Sequence, residues 1–375
     1  MPALRHPRYE LVFLLAVVSA AVLLGVVAAF HNPAYVDEYT YARLGYSLSQ
    51  GHLASDSSFL SIYRQYGLVT NAIVTPYGYV DSVQPWLDHP PLVGLLQVPL
   101  VFLGQNPRIL PVILDVGIVI SIFWLLRKDD LLTAALAAST FVAFIALFPV
   151  LSMLFLDSAV SFFFVMTLAL LVHFNRTGSK RVLYLSGVSA GLAVCSKVPG
   201  VVAIFLLLLF SAYAISSRKV SHLRAGIPIA IAIIFALVWP LYGFATEPGL
   251  FWQLTVNNVS RSVLSGTSPQ QILTALIESA SFTKPTYFTT VSPLLIISWF
   301  AAGVSLIVRR FWWTKIAFGS YVLLLFLLNY APPQSMIPLY PFFAISVAVA
   351  ASSGIRLATR LFANAHPNRI RSARS

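Results

Sequence analysis

Long apolar runs separated by short polar turns dominate this chain. The runs are continuous and do not alternate with period two, so they predict α-helices and not the strands of a membrane barrel. Several of them approach the roughly 20 apolar residues that a helix needs to cross a bilayer. We therefore predict an all-α fold, a polytopic bundle of about ten transmembrane helices. The predicted crossings are 10–30, 107–126, 131–149, 157–174, 183–196, 199–215, 225–245, 291–308, 315–330 and 338–355.

Two further stretches predict helices that lie at the membrane surface. The apolar run Pro91–Leu103 would be about 20 Å long as a helix, which is too short to span the bilayer. Between Glu38 and Gly51, apolar residues recur at helical spacing and end at a glycine suited to a helix C-cap. Both stretches lie in or next to a long first outer loop, residues 31–90. A second outer loop is predicted at residues 246–290.

The basic residues report the orientation of the chain. It is 58% hydrophobic and only 10% charged, with 24 Lys and Arg against 12 Asp and Glu. Of the 24, 18 fall near one set of turns or termini, which the positive-inside rule places in the cytoplasm. This placement between apolar runs indicates membrane topology and not a nucleic-acid surface. We expect an integral membrane protein with both termini cytoplasmic, one domain over residues 1–355 and a basic tail at 356–375.

Three acidic residues stand out on the predicted outer side. Asp37 and Glu38 follow the first crossing, and Asp157 begins a later one. One interpretation is helix capping, because carboxylates suit helix N-termini. The other is a shared site, with a carboxylate acting as general base or metal ligand. Both interpretations stay open.

Several cations and a second acidic residue are predicted on the same side. Asp88-His89 precedes two prolines that start the surface helix. His89 and Lys197 are candidates for contact with an anionic group, although Lys197 also fits an interfacial lysine that extends its amine to water. Asp88 is a candidate metal ligand. Arg261 is either a phosphate ligand or an ordinary loop residue.

Other classes of site lack support in the sequence. The single cysteine, Cys195, excludes a disulfide framework and a cysteine-built metal site. No glycine-rich phosphate loop is present, which argues against a transporter that carries its own ATPase. Asp115 lies within a predicted crossing, and the sequence assigns it no role.

An ordered series of short motifs resembles the GT-C membrane glycosyltransferases, specifically the branch with the protein O-mannosyltransferases and the lipid A aminoarabinose transferases. The motifs are Val36-Asp37-Glu38-Tyr39-Thr40-Tyr41-Ala42, Asp88-His89-Pro90-Pro91-Leu92, Leu156-Asp157, Ser196-Lys197-Val198-Pro199-Gly200 and Ile337-Pro338-Leu339-Tyr340-Pro341. Their order, spacing and predicted side carry the likeness.

The resemblance implies a GT-C-like fold and an inverting transfer of a hexosyl or pentosyl group. The donor would be a polyprenyl- or dolichyl-phosphate sugar, and the acceptor a glycan, lipid or protein outside the cytoplasm. In such a site Asp37 fits the base, with Glu38 and Asp157 orienting it or the sugar. A divalent metal is a candidate cofactor, with Glu38 and Asp88 as its ligands.

The remaining roles implied by the resemblance concern the lipid phosphate and the sugar. Lys197, Arg261 and His89 would stabilise the phosphate, although His89 stands where part of the family has a lysine. The aromatic residues that could contact the sugar are Tyr39, Tyr41, Trp86 and Trp252. Two alternative functions stay open: a lipid or solute transporter or flippase, and a glycan polymerase or transferase that uses a lipid pyrophosphate.

Overall fold

The helical framework follows the apolar runs. The structure is a computed structural model, and it describes residues 7–31, 36–76, 78–263, 292–308, 310–328 and 333–365. The helices are α1 (Pro7–His31), α2 (Val36–Ser49), α3 (Leu60–Gln65), α4 (Leu92–Phe102), α5 (Ile109–Leu126), α6 (Leu131–Leu147), α7 (Leu156–Thr177), α8 (Lys180–Ser196), α9 (Val201–Ser216), α10 (His222–Thr246), α11 (Pro248–Val263), α12 (Ser292–Ile307), α13 (Trp312–Leu328) and α14 (Tyr340–Ala365). Short 3-10 segments are Pro149–Ser152, Val198–Gly200 and Pro333–Leu339.

The length and composition of these helices identify an integral membrane protein. Within the described ranges, six helices are long and apolar enough to cross a membrane: Arg8–His31, Ile109–Leu126, Leu156–Thr177, Val198–Ser216, His222–Thr246 and Gln334–Thr359. Shorter apolar helices occupy Leu92–Phe102, Leu131–Leu147, Ile296–Ile307 and Trp312–Leu327. The predicted all-α bundle of membrane helices is confirmed, and the number of ten crossings stays a prediction.

Helix α7 lies in the interior of the bundle. Within its most apolar window, 78% of residues are buried, against 17% for α1 and 22% for α10, which lie at the periphery. Around α7 pack α5, α8 and α9, while α6 packs on α14. Gly187 and Gly191 bring α8 close to α10. A Cβ on Gly187, for example, would come within 2.3 Å of the Pro228 carbonyl oxygen. The first turn of α7 is therefore surrounded by protein.

The first outer segment contains a β-hairpin that the sequence analysis did not predict. Strands β1 (Val69–Thr75) and β2 (Gly78–Val83) pair antiparallel, with Val69 opposite Val83 and Thr75 opposite Gly78. The predicted surface helices are present as α2 and α4. They pack closely because Gly45 and Gly94 leave room; a Cβ on Gly94 would meet the Leu44 side chain at 2.8 Å.

The second outer segment also differs from the expectation of a loop. Its first part forms helix α11, whose residues Leu250, Phe251 and Leu254 are buried. The rest of the predicted loop up to residue 291 lies outside the described residues.

The bundle has two chemically different ends. We call the end where α5 and α7 begin the site end, and the opposite end, where they finish, the basic end. At the basic end Asp130 caps α6 by accepting a hydrogen bond from the Thr133 backbone N–H (3.4 Å), and it pairs with Arg310 and Arg356. Arg176 bonds the Leu125 carbonyl and Asp129 there.

Candidate active site

Most of the residues selected from the sequence gather at the site end. Helix α2 begins there with Asp37 and Glu38, α7 begins with Asp157, and α8 finishes there with Lys197 directly after it. The turn carrying Asp88 and His89 leads into α4 at the same end. The helix directions thus bring together residues that are far apart in the sequence.

An ion pair between α7 and the end of α8 lies at the centre of this group. The Lys197 amine donates to Asp157 Oδ2 at 2.8 Å. The side chains are 15% and 2% exposed, respectively. Lys197 follows α8 directly and has an extended backbone conformation. The turn after it is tight: a Cβ on Gly200 would clash with the Ala193 carbonyl, so only glycine fits there. This local geometry aims the amine at α7, so both charges are compensated in a largely desolvated place.

Asp37 faces this ion pair with a perturbed carboxyl group. Burial raises its pKa above the usual value of 3.8, and Asp56 and Asp157 raise it further, whereas Lys197 lowers it. Asp37 is only half-buried, so it stays accessible to a ligand. A carboxylate with a raised pKa that is open to the surface can accept a proton from a bound hydroxyl.

Glu38 has a different environment from its neighbour. Arg108 donates to both carboxylate oxygens at 2.8 Å, and the Leu154 backbone N–H donates to Oε2 at 3.1 Å. The same guanidinium bonds the Ala29 carbonyl oxygen at 2.6 Å. Glu38 is 3% exposed. These contacts hold α1, α2, the start of α5 and the segment before α7 together, and both Glu38 carboxylate oxygens are engaged in them.

Asp88 likewise holds its own loop together. Its oxygens accept hydrogen bonds from Ser57 Oγ at 2.7 Å and from the Tyr63 hydroxyl at 2.9 Å. Burial, and then Asp88, raises the pKa of Tyr63, so this hydroxyl remains a donor. The Asn258 amide from α11 reaches the Asp88 carbonyl oxygen at 3.4 Å. The loop, α3 and α11 are thereby joined beside the site.

The proposed metal ligands do not fit a metal site. Among the residues that the structure describes, no three His, Cys, Asp or Glu side chains are grouped as metal ligands would be. Glu38 is held by Arg108, and Asp88 by two hydroxyls. A metal would have to displace these donors.

His89 is neutral in this surrounding. Its ring contacts the edge of Trp86, with 6.1 Å between ring centroids. Burial, together with the nearby Lys197, lowers the pKa of His89 to about 3. A contact of His89 with a phosphate would therefore be a hydrogen bond from a neutral imidazole at neutral pH.

The aromatic residues divide by exposure. Trp86 is 1% exposed and Tyr41 is 8% exposed, so neither ring presents a face to a sugar. Tyr39 and Trp252, at 41% and 61%, remain available. Arg261 belongs to α11, but its side chain lies outside the described residues.

The sequence analysis missed Arg108 and Asp56. Arg108 precedes α5 on the predicted outer side, against the positive-inside bias, and this is the same signal that singled out Lys197. Asp56 pairs with Arg43 at 3.0 Å and acts on the pKa of Asp37. Nothing in its local pattern marks it, because it lies in an irregular segment. Asp115 is 2% exposed and lies in the first half of α5.

Comparison with known proteins gives a match to one family model over part of the chain, and a fold. Residues 88–247 match the model of the dolichyl-phosphate-mannose-protein mannosyltransferase family. This segment includes Asp88, His89, Asp157 and Lys197, while Asp37 precedes it. No curated protein matches the chain as a sequence relative.

Solved structures match nearly the whole chain. An oligosaccharyltransferase from Archaeoglobus fulgidus, crystallised with Zn and sulfate, is 17% identical with a TM-score of 0.56 over 93% of this chain and 50% of its own. ArnT from Cupriavidus metallidurans, bound to undecaprenyl phosphate, is 14% identical with a TM-score of 0.58 over 90% and 59%. The fold is that of the GT-C membrane glycosyltransferases. The resemblance inferred from the motifs is confirmed.

The solved structures that match are those of longer chains. The chain spans about half the length of the archaeal oligosaccharyltransferase and about three fifths of ArnT. A second structure of the archaeal enzyme, AglB, contains an inhibitory peptide and a dolichol-phosphate; it is 14% identical with a TM-score of 0.53 over 94% of this chain and 52% of its own. In the GT-C fold of this chain, Asp37 and the Asp157–Lys197 pair face each other at the site end.

Proposed function

We propose that the protein is an inverting glycosyltransferase that moves a sugar from a polyprenyl- or dolichyl-phosphate carrier to an acceptor hydroxyl on the extracytoplasmic side of the membrane. The observation that carries the proposal is the accessible, pKa-raised Asp37 facing the Asp157–Lys197 ion pair. The family match and the lipid phosphates bound by AglB and ArnT support the choice of donor.

The proposed reaction is a single displacement at the anomeric carbon. Asp37 takes the proton from the acceptor hydroxyl while the acceptor oxygen bonds to that carbon. The bond from the carbon to the phosphate oxygen breaks on the opposite face, so the sugar configuration inverts. The electron pair leaves with the lipid phosphate, whose growing negative charge Lys197 stabilises. Asp157 holds the Lys197 amine in place at 2.8 Å before the phosphate arrives.

Four further residues keep supporting roles in this proposal. Trp252 is exposed on α11 and is suited to contact the sugar or acceptor. Arg261 remains a candidate phosphate ligand. Glu38, through Arg108, fixes the start of α2 and with it the position of Asp37. Tyr41 supports α2 from its buried side.

A divalent metal has no step in this mechanism. The related oligosaccharyltransferase was crystallised with Zn, but the Glu38 and Asp88 oxygens here are engaged by other donors. The acceptor class, whether glycan, lipid or protein, is left to direct assay.

The decisive experiment is Asp37→Asn in the full chain, assayed for transfer from a labelled polyprenyl-phosphate mannose. Loss of the general base predicts a fall in kcat of about 10²- to 10⁴-fold with donor binding retained. Asp129→Asn, a carboxylate at the basic end, is the matched control and keeps its activity. Equal transfer by wild type and Asp37→Asn would remove the base assignment.

The lipid that co-purifies with the wild-type protein tests the proposed donor separately. Mass spectrometry is expected to find a lipid monophosphate or its sugar conjugate. A lipid pyrophosphate instead would favour a glycan polymerase or a transferase of that class. Absence of any prenyl phosphate, together with no transfer, would favour a transporter.

A further inference from the structure

A cleft at the basic end lies far from the candidate active site. It is a shallow groove between α12, α13 and α14, open to the surroundings. The cleft exists because α12 packs along α14, whereas α13 touches α14 at only a few positions. Two helices that diverge in this way leave a groove between them.

The interior of the cleft is mostly carbon. Its apolar lining is Ala302, Leu306, Phe318, Phe342, Ile345 and Val349. The hydroxyls in the wall are already bonded within the protein: Ser305 Oγ donates to the Ala302 carbonyl oxygen at 2.8 Å, and Thr314 Oγ1 to that of Phe311 at 2.6 Å. The walls therefore require no polar ligand, and they suit a hydrocarbon chain.

The mouth of the cleft is positively charged. Arg310 and Lys315 line it. Lys315 bonds the carbonyl oxygens of Leu306 and Val308, and it has no carboxylate partner within the part of the chain that the structure describes. Arg310 and Arg356 share one carboxylate, that of Asp130. Three cations beside one carboxylate leave a net positive charge at the mouth.

The residues around the mouth are of the types found at a membrane interface. Trp312 stands next to Arg310 at the start of α13, is 42% exposed, and stacks on Trp313 with 3.8 Å between ring centroids. Exposed tryptophan beside basic residues is typical of the membrane interface. Basic pockets between membrane helices are suited to lipid phosphates.

We propose that this cleft is a binding site for an anionic phospholipid of the surrounding membrane. The headgroup phosphate lies between Arg310 and Lys315, and the first part of one acyl chain lies along the apolar rim of the groove at Leu306 and Phe318. The site is separate from that of the donor lipid, because it lies at the opposite end of the bundle.

The test measures binding of phosphatidylglycerol to the purified full chain by native mass spectrometry, with neutral phosphatidylcholine as the comparison lipid. Phosphatidylglycerol is expected to bind more tightly to the wild type. The double variant Arg310→Gln/Lys315→Gln is expected to bind it about 30-fold more weakly, as two lost charges near a lipid surface imply. The matched control Lys180→Gln/Arg181→Gln removes two exposed charges at the same end, outside the cleft, and keeps the wild-type affinity.

A second variant tests the apolar part of the groove and leaves the charges in place. Leu306→Ser makes the exposed apolar rim polar while both cations remain, and it is expected to weaken phosphatidylglycerol binding as well. Unchanged binding in either cleft variant, or an equal loss in the control, would overturn the proposal. Displacement of the lipid by inorganic phosphate alone would also overturn it, because the acyl chain would then contribute nothing.

Discussion

At the scale of single residues, Asp37 shows how burial and charge set the proposed chemistry. Burial is the largest cause of its raised pKa, and the charges of Asp56, Asp157 and Lys197 modify it with opposite signs. Proton abstraction needs the carboxylate form, so activity is lost as pH falls through this pKa. The acid limb of the pH profile therefore lies above that of a free aspartate.

Asp56→Asn tests this electrostatic coupling. Removing the negative charge lowers the pKa of Asp37, so the acid limb of kcat/KM is expected to move to lower pH. Initial rates of sugar transfer across an acidic pH series measure it. Glu10→Gln, which removes a carboxylate paired with Arg127 at the basic end, leaves the limb in place. A limb that does not move, or moves to higher pH, contradicts the coupling.

His89 and Lys197 show why residue type alone does not define a phosphate contact. Both residue types can carry a positive charge, but burial and the charge of Lys197 hold the pKa of His89 at about 3. In the described part of the site, attraction of an anionic lipid group therefore falls to Lys197.

At the scale of elements, the Glu38–Arg108 pair fixes how four segments meet. Arg108→Gln leaves the Glu38 carboxylate buried without its charge partner, and breaking such a pair costs about 3–5 kcal/mol of stability. The expected result is a large fall in the thermal unfolding midpoint in detergent, together with lower transfer activity. The double variant Glu38→Gln/Arg108→Gln is expected to lose less stability than the single variant, because no charge is then left buried.

The Glu10–Arg127 pair is the control for this prediction. Its atoms are 3.6 Å apart and its side chains are 25% and 37% exposed. An exposed pair contributes about 0–1 kcal/mol, so Arg127→Gln should change the midpoint little. Equal falls of the unfolding midpoint in Arg108→Gln and Arg127→Gln would show that the buried Glu38–Arg108 pair does not hold the four segments together.

The same elements show what the sequence can predict. Helix α5 (Ile109–Leu126) lies within the predicted crossing 107–126, because a long apolar run bounded by charges determines a membrane helix locally. The hairpin was missed because its strands are short and their pattern is weak. Glu38 and Arg108 lie 70 residues apart, and only the packing of α1, α2 and α5 brings them together. The sequence thus predicts which end of the bundle carries the site, while the partner of each charge depends on tertiary contacts.

At the scale of the whole molecule, the two ends differ in the kind of charge they carry. The site end holds its cations in specific pairs, Arg108 with Glu38 and Lys197 with Asp157. The basic end carries several cations around Asp130. Under the positive-inside rule, the basic end faces the cytoplasm. This orientation would place Asp37 where a lipid-linked sugar meets acceptors outside the cell.

The orientation can be tested with two cysteines that flank a single helix. Gln105 and Lys128 are exposed at the two ends of α5, at the site end and the basic end. In a Cys195→Ala background, Gln105→Cys is expected to react with a membrane-impermeant maleimide in intact cells. Lys128→Cys is expected to react only after permeabilisation. The reverse pattern would show that the protein has the opposite orientation in the membrane, with the candidate active site facing the cytoplasm. Labelling of both cysteines in intact cells would show that α5 does not cross the bilayer.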